Sequence, residues 1–360
     1  MAAITTIIPT YERAQLLRRA LESVLRQTEP DFEIWVYDNC SHDDTQKAVA
    51  ELMQRDSRVH YHRHERNIGA FGNFAFGMRQ VRTPYFSFLS DDDVLFPGFF
   101  ATALHGFERH PEAVASVCST LEFTAAGDFV YAPLGRWRRD GLYLPPDGAF
   151  AMLFNRHPTW TGMLFRREAI ERLGLIDAET GVVSDLDYEL RLAARYPIVV
   201  DFQPCAAYTS HPATRSSQED ASVIPGYQKM IANIVTDPAL STQTQHKLGG
   251  RLQSQMCLKL VEIAGKGLVR GRESDTREAA ALLRQWPRWW VVGAAFSALA
   301  GLCKAFPPVR RVLQRAERWR LQRRAQASLP SARDERGLPS AWLDVGAYKR
   351  YLTLGPESDS

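Results

Sequence analysis

Three consecutive aspartates, Asp91–Asp93, follow an apolar run and are the residues of this chain best suited to chemistry. The run "YFSFL" before them has the pattern of a buried β-strand, so the three carboxylates stand where a core strand ends. Like charges held together at such a place repel each other. A divalent cation would remove this repulsion, because carboxylate oxygens are the hard ligands that Mg²⁺ and Mn²⁺ prefer. The alternative is an acidic turn that caps the next helix.

A metal site of this kind predicts a phosphate-bearing substrate. Magnesium commonly takes one or two carboxylates from the protein and its other ligands from substrate phosphates and water. The sequence has no GxxxxGK[ST] loop, and the glycines of "NIGAFGNFAFG" do not form GxGxxG. A nucleotide with a metal on its diphosphate remains compatible with these residues. Asp38, directly after the predicted strand "EIWVY", is a candidate to hydrogen-bond its base or ribose.

The elements around the aspartates predict an α/β sheet. Four apolar runs have the length of strands: "ITTIIPTY", "FEIWVYD", "RVHYHRH" and "YFSFLS". Residues 13–28, 43–53 and 67–81, which lie between them, predict helices. Strands that alternate with helices through short connections form a mostly parallel sheet, covered on both faces, which binds ligands at the carboxyl ends of its strands. The polar clusters "PTYER", "DNCSHDDT" and "SDDD" fall at those ends.

The order of these motifs resembles a known family. "IIPTYER", "VYDNCSHDDT", "NIG…N" and "FLSDDD" are followed by "TGMLFRREAIERLGLID", "SDLDYELRLA" and "YTSHPATRSS". Together they resemble the inverting family 2 glycosyltransferases, over roughly residues 3–217. The resemblance implies the GT-A fold, a Rossmann-like, mostly parallel sheet flanked by helices. It also implies a nucleotide-diphosphate sugar as the donor substrate.

The resemblance assigns roles to residues at the predicted donor site. The residues that would surround the donor nucleotide are Pro9, Thr10, Tyr11, Arg13, Asp38, Asn73 and Asp91. Asp92, Asp93 and His211 would hold a divalent Mn²⁺ or Mg²⁺ on the diphosphate. Arg215 and Ser216 would lie on a loop that closes over the phosphates. The chain departs from the family pattern before the metal strand, where a usual Arg is missing and Asn73 would have to serve. The identity of the nucleotide therefore stays open.

The resemblance also makes Asp185 the general base. An inverting transfer needs one base to take the acceptor hydroxyl's proton, and a metal to offset charge on the leaving diphosphate. Asp185 stands in the first turn of a predicted helix, where its alternative role is that of a partner for the helix dipole. Asp187 is the fallback candidate. The acceptor-site candidates are Trp160, Gly162 and Arg166, with a core position as the alternative for Trp160.

The charge distribution divides the chain. Residues 1–225 hold 22 Lys and Arg against 30 Asp and Glu, whereas residues 226–360 hold 22 against 11. We therefore expect a catalytic domain over 1–225 and a basic, mainly helical C-terminal extension over 226–360. The apolar run Trp289–Cys303 is shorter than the roughly 20 residues of a membrane span. It is either a buried core helix or a helix in the membrane interface.

The next segment favours contact with an anionic membrane. "VRRVLQRAERWRLQRR" has the pattern of a basic amphipathic helix, and its alternative is a helix packed on the catalytic domain. No nucleic-acid-binding motif is present, so nucleic acid is not an expected partner. Five dispersed cysteines without a CxxC spacing, and an N-terminus without a signal-peptide pattern, predict a cytoplasmic location, peripheral at the inner face of the plasma membrane.

These observations favour an inverting, metal-dependent glycosyltransferase that moves a hexosyl or deoxyhexosyl group. Its acceptor would be a hydroxyl of a lipid-linked bacterial surface glycan such as O-antigen. One alternative is a sugar nucleotidyltransferase, which needs a phosphate loop with glycine and lysine near the first strand. Another is a degenerate, non-catalytic module that binds a sugar nucleotide or a membrane. Retention of both Asp92 and Asp185 argues against the second alternative.

Overall fold

The computed structural model describes residues 2–124, 127–154, 157–210, 220–306, 308–315, 348 and 352. The chain forms two compact units. The sheet unit comprises Met1–Ala178, Ser184–Pro212 and Leu338–Ser360, and the helical unit comprises Glu179–Val183 and Ala213–Gly337.

The sheet unit contains one ten-stranded sheet. Its strands are β1 (Ile4–Thr10), β2 (Phe32–Asp38), β3 (Val59–Arg63), β4 (Tyr85–Phe88), β5 (Val94–Leu95), β6 (Ala115–Thr124), β7 (Phe129–Tyr131), β8 (Gly141–Tyr143), β9 (Met163–Arg166) and β10 (Ile198–Ser210). Eight of them follow the order β3-β2-β1-β4-β9-β6-β10-β5, while β7 pairs with β6 and β8 with β10. Strands β1 to β4 are parallel, β9 runs against β4 and β6, and β10 is parallel to β6. The predicted mostly parallel sheet is confirmed.

Both units contain helices. Those of the sheet unit are α1 (Ala14–Leu25), α2 (Thr45–Arg55), α3 (Ala70–Gln80), α4 (Phe99–Arg109), α5 (Asp147–Phe154), α6 (Glu168–Leu173) and α7 (Ser184–Arg195). Those of the helical unit are α8 (Ile224–Val235), α9 (Thr242–Arg270), α10 (Glu273–Leu283) and α11 (Trp290–Ala305). The expected mainly helical character of the region after residue 226 holds for the part that the structure describes.

Pro9 stands inside the central strand β1, where a residue without an N–H would ordinarily break a ladder. Strand β1 pairs with β2 along its whole length, up to Thr10 opposite Asp38, but its pairing with β4 ends at Ile7. Because successive residues of a strand direct their N–H groups to alternate neighbours, Pro9 shares the side of Ile7, beyond the end of β4. The proline therefore costs no ladder hydrogen bond.

Strand β6 is one of the elements that the sequence analysis did not predict. It lies between β9 and β10, and nine of its ten residues are buried. The segment "ASVCSTLEFT" mixes small, hydroxyl-bearing and apolar residues without alternation, because both faces of the strand are covered. Hydrophobic periodicity therefore cannot mark it.

The two units divide the chain differently from the predicted domains. The helical unit begins at Ala213 rather than near 226, and Leu338–Ser360 group with the sheet unit. Of that last segment, the ring of Tyr348 stacks on Phe96 at 4.7 Å, and the carbonyl of Leu352 accepts a hydrogen bond from Arg19. The C-terminal residues therefore do not form one body with the helices.

Helix α11 settles how the apolar segment 289–303 is packed. Gly293, Ala300 and Cys303 are buried, and Cβ of a residue at 293 would lie 2.6 Å from the carbonyl oxygen of Ala280. One face of α11 is therefore packed in the core of the helical unit. This agrees with the first of the two predictions, a buried core helix. Among the described residues, no helix combines the length and apolarity needed to cross a bilayer.

Candidate active site

The strand directions bring the predicted site residues to one edge of the sheet. Thr10 and Asp38 end β1 and β2, and Asp91–Asp93 follow β4. Because β9 runs antiparallel to β4, the segment Trp160–Gly162, which precedes β9, lies at this same edge. This edge carries the carboxyl ends of the parallel strands, where sheets of this type bind ligands.

Helix α7 returns to the same edge. It ends at Arg195, and β10 begins three residues later at Ile198, so the helix runs back along the sheet. Its first turn, which contains Asp185, therefore lies toward the carboxyl ends of the strands. Tyr188 of α7 packs against Trp160, with their ring centroids 6.3 Å apart.

The negative charge of Asp91 and Asp92 is balanced by an arginine. Arg13 Nη1 lies 3.1 Å from Asp91 Oδ1 and 2.9 Å from Asp92 Oδ2, so one guanidinium bridges both carboxylates. The Thr10 hydroxyl donates a further hydrogen bond to Asp91 Oδ2 at 2.8 Å. The Arg13 side chain keeps 33% of its surface exposed, whereas both aspartates are buried. The acidic turn therefore has an accessible cation at its surface.

The other side of the turn is held by two residues that the sequence did not single out. Arg19 of α1 donates to the backbone carbonyl of Asp92, and the Thr161 hydroxyl donates to Asp93 Oδ2 at 2.5 Å. Asp93 thus faces the protein interior rather than a ligand. Asp92 is the better candidate for a metal ligand.

Burial makes the acidic turn a strong site for positive charge. It raises the pKa of Asp91 to about 6, assisted by the charge of Asp92 and opposed by Arg13. Burial and the charge of Asp92 also hold the pKa of Asp93 well above its usual value. Such carboxylates bind a proton more readily than exposed ones, and a nearby cation favours their ionised form.

The acidic turn offers enough carboxylates for a divalent ion only if a substrate supplies the other ligands. Within the described residues, no three His, Cys, Asp or Glu side chains converge as a ready metal site. Magnesium nevertheless needs only one or two carboxylates when a substrate supplies phosphate oxygens. Asp91 and Asp92, at the surface that Arg13 occupies, meet that requirement.

Asp38 and Asn73 are tied into the protein rather than open to a ligand. Asp38 Oδ1 accepts hydrogen bonds from the backbone N–H and hydroxyl of Ser41, and Oδ2 accepts one from the Tyr61 hydroxyl at 2.5 Å. The Asn73 amide donates to the Tyr37 carbonyl at 2.7 Å. Both side chains therefore shape the loops after β2 and β3. Direct contact with a nucleotide would require them to exchange these partners.

Tyr11 is placed to meet a ligand. It is exposed, and it follows the carboxyl end of β1. The next residue, Glu12, has a φ of 53°, in the left-handed region, and its N–H bonds the hydroxyl of Ser41. This local turn leads the chain from β1 to Arg13 at the acidic turn.

Of the two acidic residues in the first turn of α7, only one is partly exposed. Asp187 is fully buried, and its Oδ2 pairs with Arg191 Nε at 2.8 Å. Asp185 is half-buried, and Oδ1 accepts a hydrogen bond from the N–H of Leu186. Asp185 is therefore the carboxylate that can approach a substrate.

The three acceptor-site candidates lie in different environments. Trp160 is buried, with its ring stacked on Phe88 at 4.3 Å, so it is a core residue. A Cβ at Gly162 would lie 2.5 Å from Thr120 Oγ1, so this glycine permits close packing. Arg166 pairs with Tyr85, the first residue of β4, and so lies at the opposite edge of the sheet. The acceptor roles expected for Trp160 and Arg166 are corrected accordingly.

Three further predicted residues, His211, Arg215 and Ser216, lie outside the described residues. Their roles at the metal and the diphosphate stay predictions.

A buried pair beside Asp185 was missed. Glu189 is completely buried, and its Oε2 lies 3.3 Å from His157 Nδ1. Burial raises the pKa of Glu189 to about 7. Burial alone would lower the pKa of His157, but Glu189 and Asp185 together raise it to about 9. The spacing of four residues between Asp185 and Glu189 could have indicated a shared helix face, but nothing in the sequence places His157 there.

The comparison with known families agrees with this geometry. Residues 5–174 match the profile described as glycosyl transferase family 2. This segment, somewhat less than half of the chain, is a family 2 glycosyltransferase segment. The match covers β1 to β9 and the acidic turn, whereas α7 and its Asp185 lie beyond it.

Individual relatives match over shorter parts. A GalNAc(5)-diNAcBac-PP-undecaprenol beta-1,3-glucosyltransferase of Campylobacter jejuni is 35% identical over 105 residues, 29% of this chain and 34% of the relative. An uncharacterized glycosyltransferase of Nostoc sp. is 28% identical over 178 residues, 48% of this chain and 54% of the relative. The chain thus spans a third to a half of the length of these two relatives.

Solved structures share the GT-A fold of this chain. Staphylococcus aureus TarS 1–349 in complex with UDP-GlcNAc has a TM-score of 0.59 at 14% identity, over 89% of this chain and 92% of that one. The mannosyltransferase PcManGT of Pyrobaculum calidifontis, in complex with GDP-Man and Mn²⁺, has a TM-score of 0.53 at 17% identity, over 85% and 87%. At these identities the likeness concerns the fold.

Proposed function

We propose that this chain transfers a sugar from a nucleoside diphosphate donor to an acceptor hydroxyl, with inversion at the anomeric carbon. The observation that carries the proposal is the convergence of the acidic turn after β4 and the first turn of α7 at one edge of the sheet. Such an edge offers one carboxylate group for the donor's diphosphate and a separate carboxylate for the acceptor. The solved structures that contain UDP-GlcNAc and GDP-Man share this fold and support a nucleotide-sugar donor.

The donor would bind over β1 and the acidic turn. Tyr11 is exposed at the end of β1, and Arg13 is a partly exposed cation beside Asp91 and Asp92. Asp92, with Asp91, would hold Mn²⁺ or Mg²⁺ against the diphosphate. When bound, this ion acts as a Lewis acid that offsets charge on the leaving nucleoside diphosphate. Arg13 would move from the carboxylates to the phosphates, to which its guanidinium donates equally well.

Asp185 would act as the general base. Its carboxylate accepts the proton of the acceptor hydroxyl as that oxygen attacks the anomeric carbon. The bond from the anomeric carbon to the diphosphate oxygen breaks, and its electron pair leaves with the nucleoside diphosphate. One carboxylate suffices, because no covalent sugar–enzyme intermediate forms. The half-buried position of Asp185 at the N-terminus of α7 suits an ionised base.

The acceptor would be a lipid-linked glycan. The Campylobacter relative acts, by its name, on an undecaprenol-diphosphate-linked glycan, and this chain matches about a third of it. The growing end of such a glycan lies close to a membrane, so the enzyme would work at the cytoplasmic face of the plasma membrane. A bacterial surface glycan such as O-antigen is the corresponding product class.

Helix α11 supports membrane contact. Five of its exposed residues are apolar and spaced three or four apart: Val291, Ala295, Ala298, Leu302 and Ala305. We call them the α11 stripe. Trp290 and Phe306 are exposed at its two ends. Exposed Arg288 precedes the helix and exposed Lys304 lies in its last turn, which is the pattern of an interfacial helix on anionic lipid.

The donor proposal is tested by thermal unfolding of the full chain with UDP, UDP-GlcNAc, GDP and GDP-mannose, each with and without Mn²⁺. A ligand that binds the native state raises the melting temperature. We expect a rise for one nucleotide that is larger with Mn²⁺, lost in Asp92→Ala and kept in Asp185→Asn. Glu51→Ala, on the exposed face of α2, is the control variant.

Turnover separates an enzyme from a binding module. Release of the nucleoside diphosphate from the stabilising donor is expected to fall at least about a hundredfold in Asp185→Asn, because the general base is lost. NMR of the sugar product in the presence of an acceptor should show the inverted anomer. No stabilisation by any nucleotide would contradict the donor site. Stabilisation without any turnover would leave the sugar-nucleotide-binding module.

A further inference from the structure

The donor site proposed above depends on the direction of the acidic turn, and α1 holds the backbone of this turn. Residues 90–93 form a tight turn, which the N–H of Asp93 closes onto the carbonyl of Ser90 at 3.0 Å. Asp92 stands at the third position of the turn, so the orientation of its backbone sets the direction of its carboxylate. The half-buried Arg19 of α1 donates through Nη2 to the carbonyl of Asp92. Arg19 therefore holds this residue by its backbone and leaves its carboxylate to other partners.

Two more polar side chains continue the contact between α1 and the chain after the turn. Ser23 and Gln27 follow Arg19 at intervals of four residues, and both are buried. Ser23 Oγ accepts a hydrogen bond from the N–H of Leu95 at 3.1 Å, and Gln27 Nε2 donates to the carbonyl of Phe96 at 2.7 Å. Residues four apart share a helix face, and Gln27 stands two residues after the end of α1. We call these three residues the α1 row, and they fix the backbone from Asp92 to Phe96.

Two residues from the C-terminal end of the chain reach the same place. Arg19 Nη1 donates to the carbonyl of Leu352 at 3.3 Å, although 333 residues separate them, while Nη2 holds the acidic turn. The ring of Tyr348 stacks on the buried ring of Phe96, with 4.7 Å between centroids and 25° between planes. Both residues belong to Leu338–Ser360, which group with the sheet unit. One guanidinium thus connects the C-terminal residues with the acidic turn.

We propose that Arg19 is a positioning residue for the donor site, and that Tyr348 and Leu352 act on this site through Arg19 and Phe96. Arg19 would hold the backbone of Asp92 so that its carboxylate faces the donor's diphosphate. The C-terminal residues would keep the guanidinium and the Phe96 ring in place. This inference rests on the proposed function, since it uses the metal-binding role proposed for Asp92. Neither Arg19 nor the C-terminal residues touch the donor, so they affect its affinity and not the chemical step.

The test of Arg19 is the concentration of Mn²⁺ and donor that the full chain requires, with UDP-GlcNAc and GDP-mannose as the probes. In Arg19→Met, the donor KM and the half-saturating Mn²⁺ concentration should each rise about tenfold, because the Asp92 carbonyl loses a charged hydrogen-bond donor. The kcat at saturation should change by less than about twofold, since no group that touches substrate is altered. Arg19→Lys keeps one cationic donor and should recover most of the affinity.

The control for Arg19→Met is Arg18→Met, which removes the neighbouring exposed arginine of α1. It should leave both concentrations unchanged. A general loss of folded protein would lower the measured activity without raising either concentration. A lower kcat in Arg19→Met with unchanged KM and Mn²⁺ requirement would therefore overturn the positioning role.

Tyr348→Ala tests the C-terminal contact without altering Arg19. The donor KM should rise about threefold, whereas Tyr348→Phe retains the stacked ring and should match the wild type. In the Arg19→Met background, Tyr348→Ala should have little further effect, because residues in one chain of contacts are not additive. Full additivity of the two substitutions would overturn the link between the C-terminal residues and Arg19.

Failure of this inference is distinguishable from failure of the proposed function by hydrogen exchange of the full chain, without donor or metal. The amides of Asp93, Leu95 and Phe96 are all hydrogen-bonded. Arg19→Met and Tyr348→Ala should each speed their exchange at least about fivefold and leave the amides of β2 unchanged. If the wild type turns over no donor but these amides respond, the proposed function fails and the contact of the C-terminal residues with the turn is supported. Equal exchange of residues 93–96 in the wild type and both variants would overturn the inference, whatever the activity.

Discussion

At the scale of single residues, arginine takes the position that the sequence alone assigns to a metal ion. Arg13 bridges Asp91 and Asp92, and Arg19 holds the backbone of the turn. A guanidinium and a divalent cation both relieve the repulsion between buried carboxylates. Under the proposed function the two would act one after the other: the arginine holds the turn together, and a phosphate-bearing donor would bring the metal. The turn is therefore stable without its ligand.

This arrangement predicts a stability loss in Arg13→Ala. Removal of the guanidinium takes away the positive charge that bridges two buried carboxylates, and we expect a loss of about 1–3 kcal/mol in the free energy of unfolding at neutral pH. Urea denaturation measures it. The loss should shrink near pH 5, where Asp91 is protonated, since burial raises its pKa to about 6. Mn²⁺ should restore more stability to the variant than to the wild type.

The control for Arg13→Ala is Arg18→Ala. Arg18 forms an exposed ion pair with Glu51, which contributes little to stability. We expect a change within about 0.5 kcal/mol for this variant. Equal losses in both variants would contradict the bridging role of Arg13.

The contact between His157 and the buried Glu189 of α7 predicts a pH dependence of stability. Glu189 keeps its proton up to about pH 7 in the native state, whereas an unfolded glutamate loses it near 4.5, so stability falls as the pH rises between these values. His157 acts in the same direction: its contribution is complete below about 6.5 and lost as the pH passes 9. Removal of the Glu189 charge should reduce the decline between pH 5 and 8 by on the order of 2 kcal/mol.

Urea denaturation of Glu189→Gln across this pH range measures the effect. Glu108→Gln removes an exposed glutamate that also faces a histidine, and it should leave the decline unchanged. A decline in Glu189→Gln that equals the wild-type decline would show that Glu189 is already ionised without cost.

At the scale of elements, α3 is positioned by glycine. A Cβ at Gly77 would lie 2.6 Å from Ile7 Cγ2 and 3.0 Å from the ring of Tyr37, so the helix lies flush on β1 and β2. The loop between β3 and α3 contains Ile68 and Gly69, with φ of 79° at Gly69. Close packing of α3 therefore fixes the edge of the sheet near Asp38.

Two alanine substitutions on α3 test this packing. Gly77→Ala should lower the free energy of unfolding by about 1–3 kcal/mol, because the new methyl overlaps Ile7 and Tyr37. Gly72→Ala, on the same helix, meets Ile68 only at 3.7 Å or more and should be neutral or stabilising by about 0.5–1 kcal/mol. Urea denaturation measures both. Equal effects of the two substitutions would contradict the flush packing.

At the scale of the whole molecule, the basic C-terminal half and the apolar α11 stripe are expected to act together on membranes. Apolar burial supplies about 1.5–3 kcal/mol for each inserted Val or Leu, and exposed Arg and Lys add attraction to anionic lipid. Val291 and Leu302 are 71% and 43% exposed in the helical unit. Both terms are thus available without any unfolding of α11.

We expect the full chain to float with vesicles that contain phosphatidylglycerol, and less with phosphatidylcholine alone. Val291→Glu with Leu302→Glu should reduce the bound fraction at least about tenfold, since two apolar side chains are replaced by charges. The matched control places glutamate at Val130 and Leu144, exposed apolar residues of the sheet unit. A wild type that does not float, or a control that loses flotation equally, would contradict the role of the α11 stripe.

The sequence by itself determined the framework of this protein. Alternating strands and helices, with polar clusters at the strand ends, were enough to predict a parallel sheet and the edge that carries the site, because those signals are local in the chain. The structure brings Thr10, Arg13, Asp91 and Asp92 together at this edge, and their roles toward a donor stay predictions. The family resemblance added Asp185, which α7 brings to the same side of the sheet.

Only the tertiary structure decided how these side chains are partnered. Strand β6 was not predicted, because burial on both faces removes the alternation of polar and apolar residues. Arg166 was assigned to the wrong edge of the sheet, because the residues of β9 do not show whether the strand runs parallel or antiparallel to β4. The contacts of Thr161 with Asp93 and of His157 with Glu189 join segments that are 68 and 32 residues apart. Charge balance in a buried site depends on such distant neighbours, and a local pattern cannot specify them.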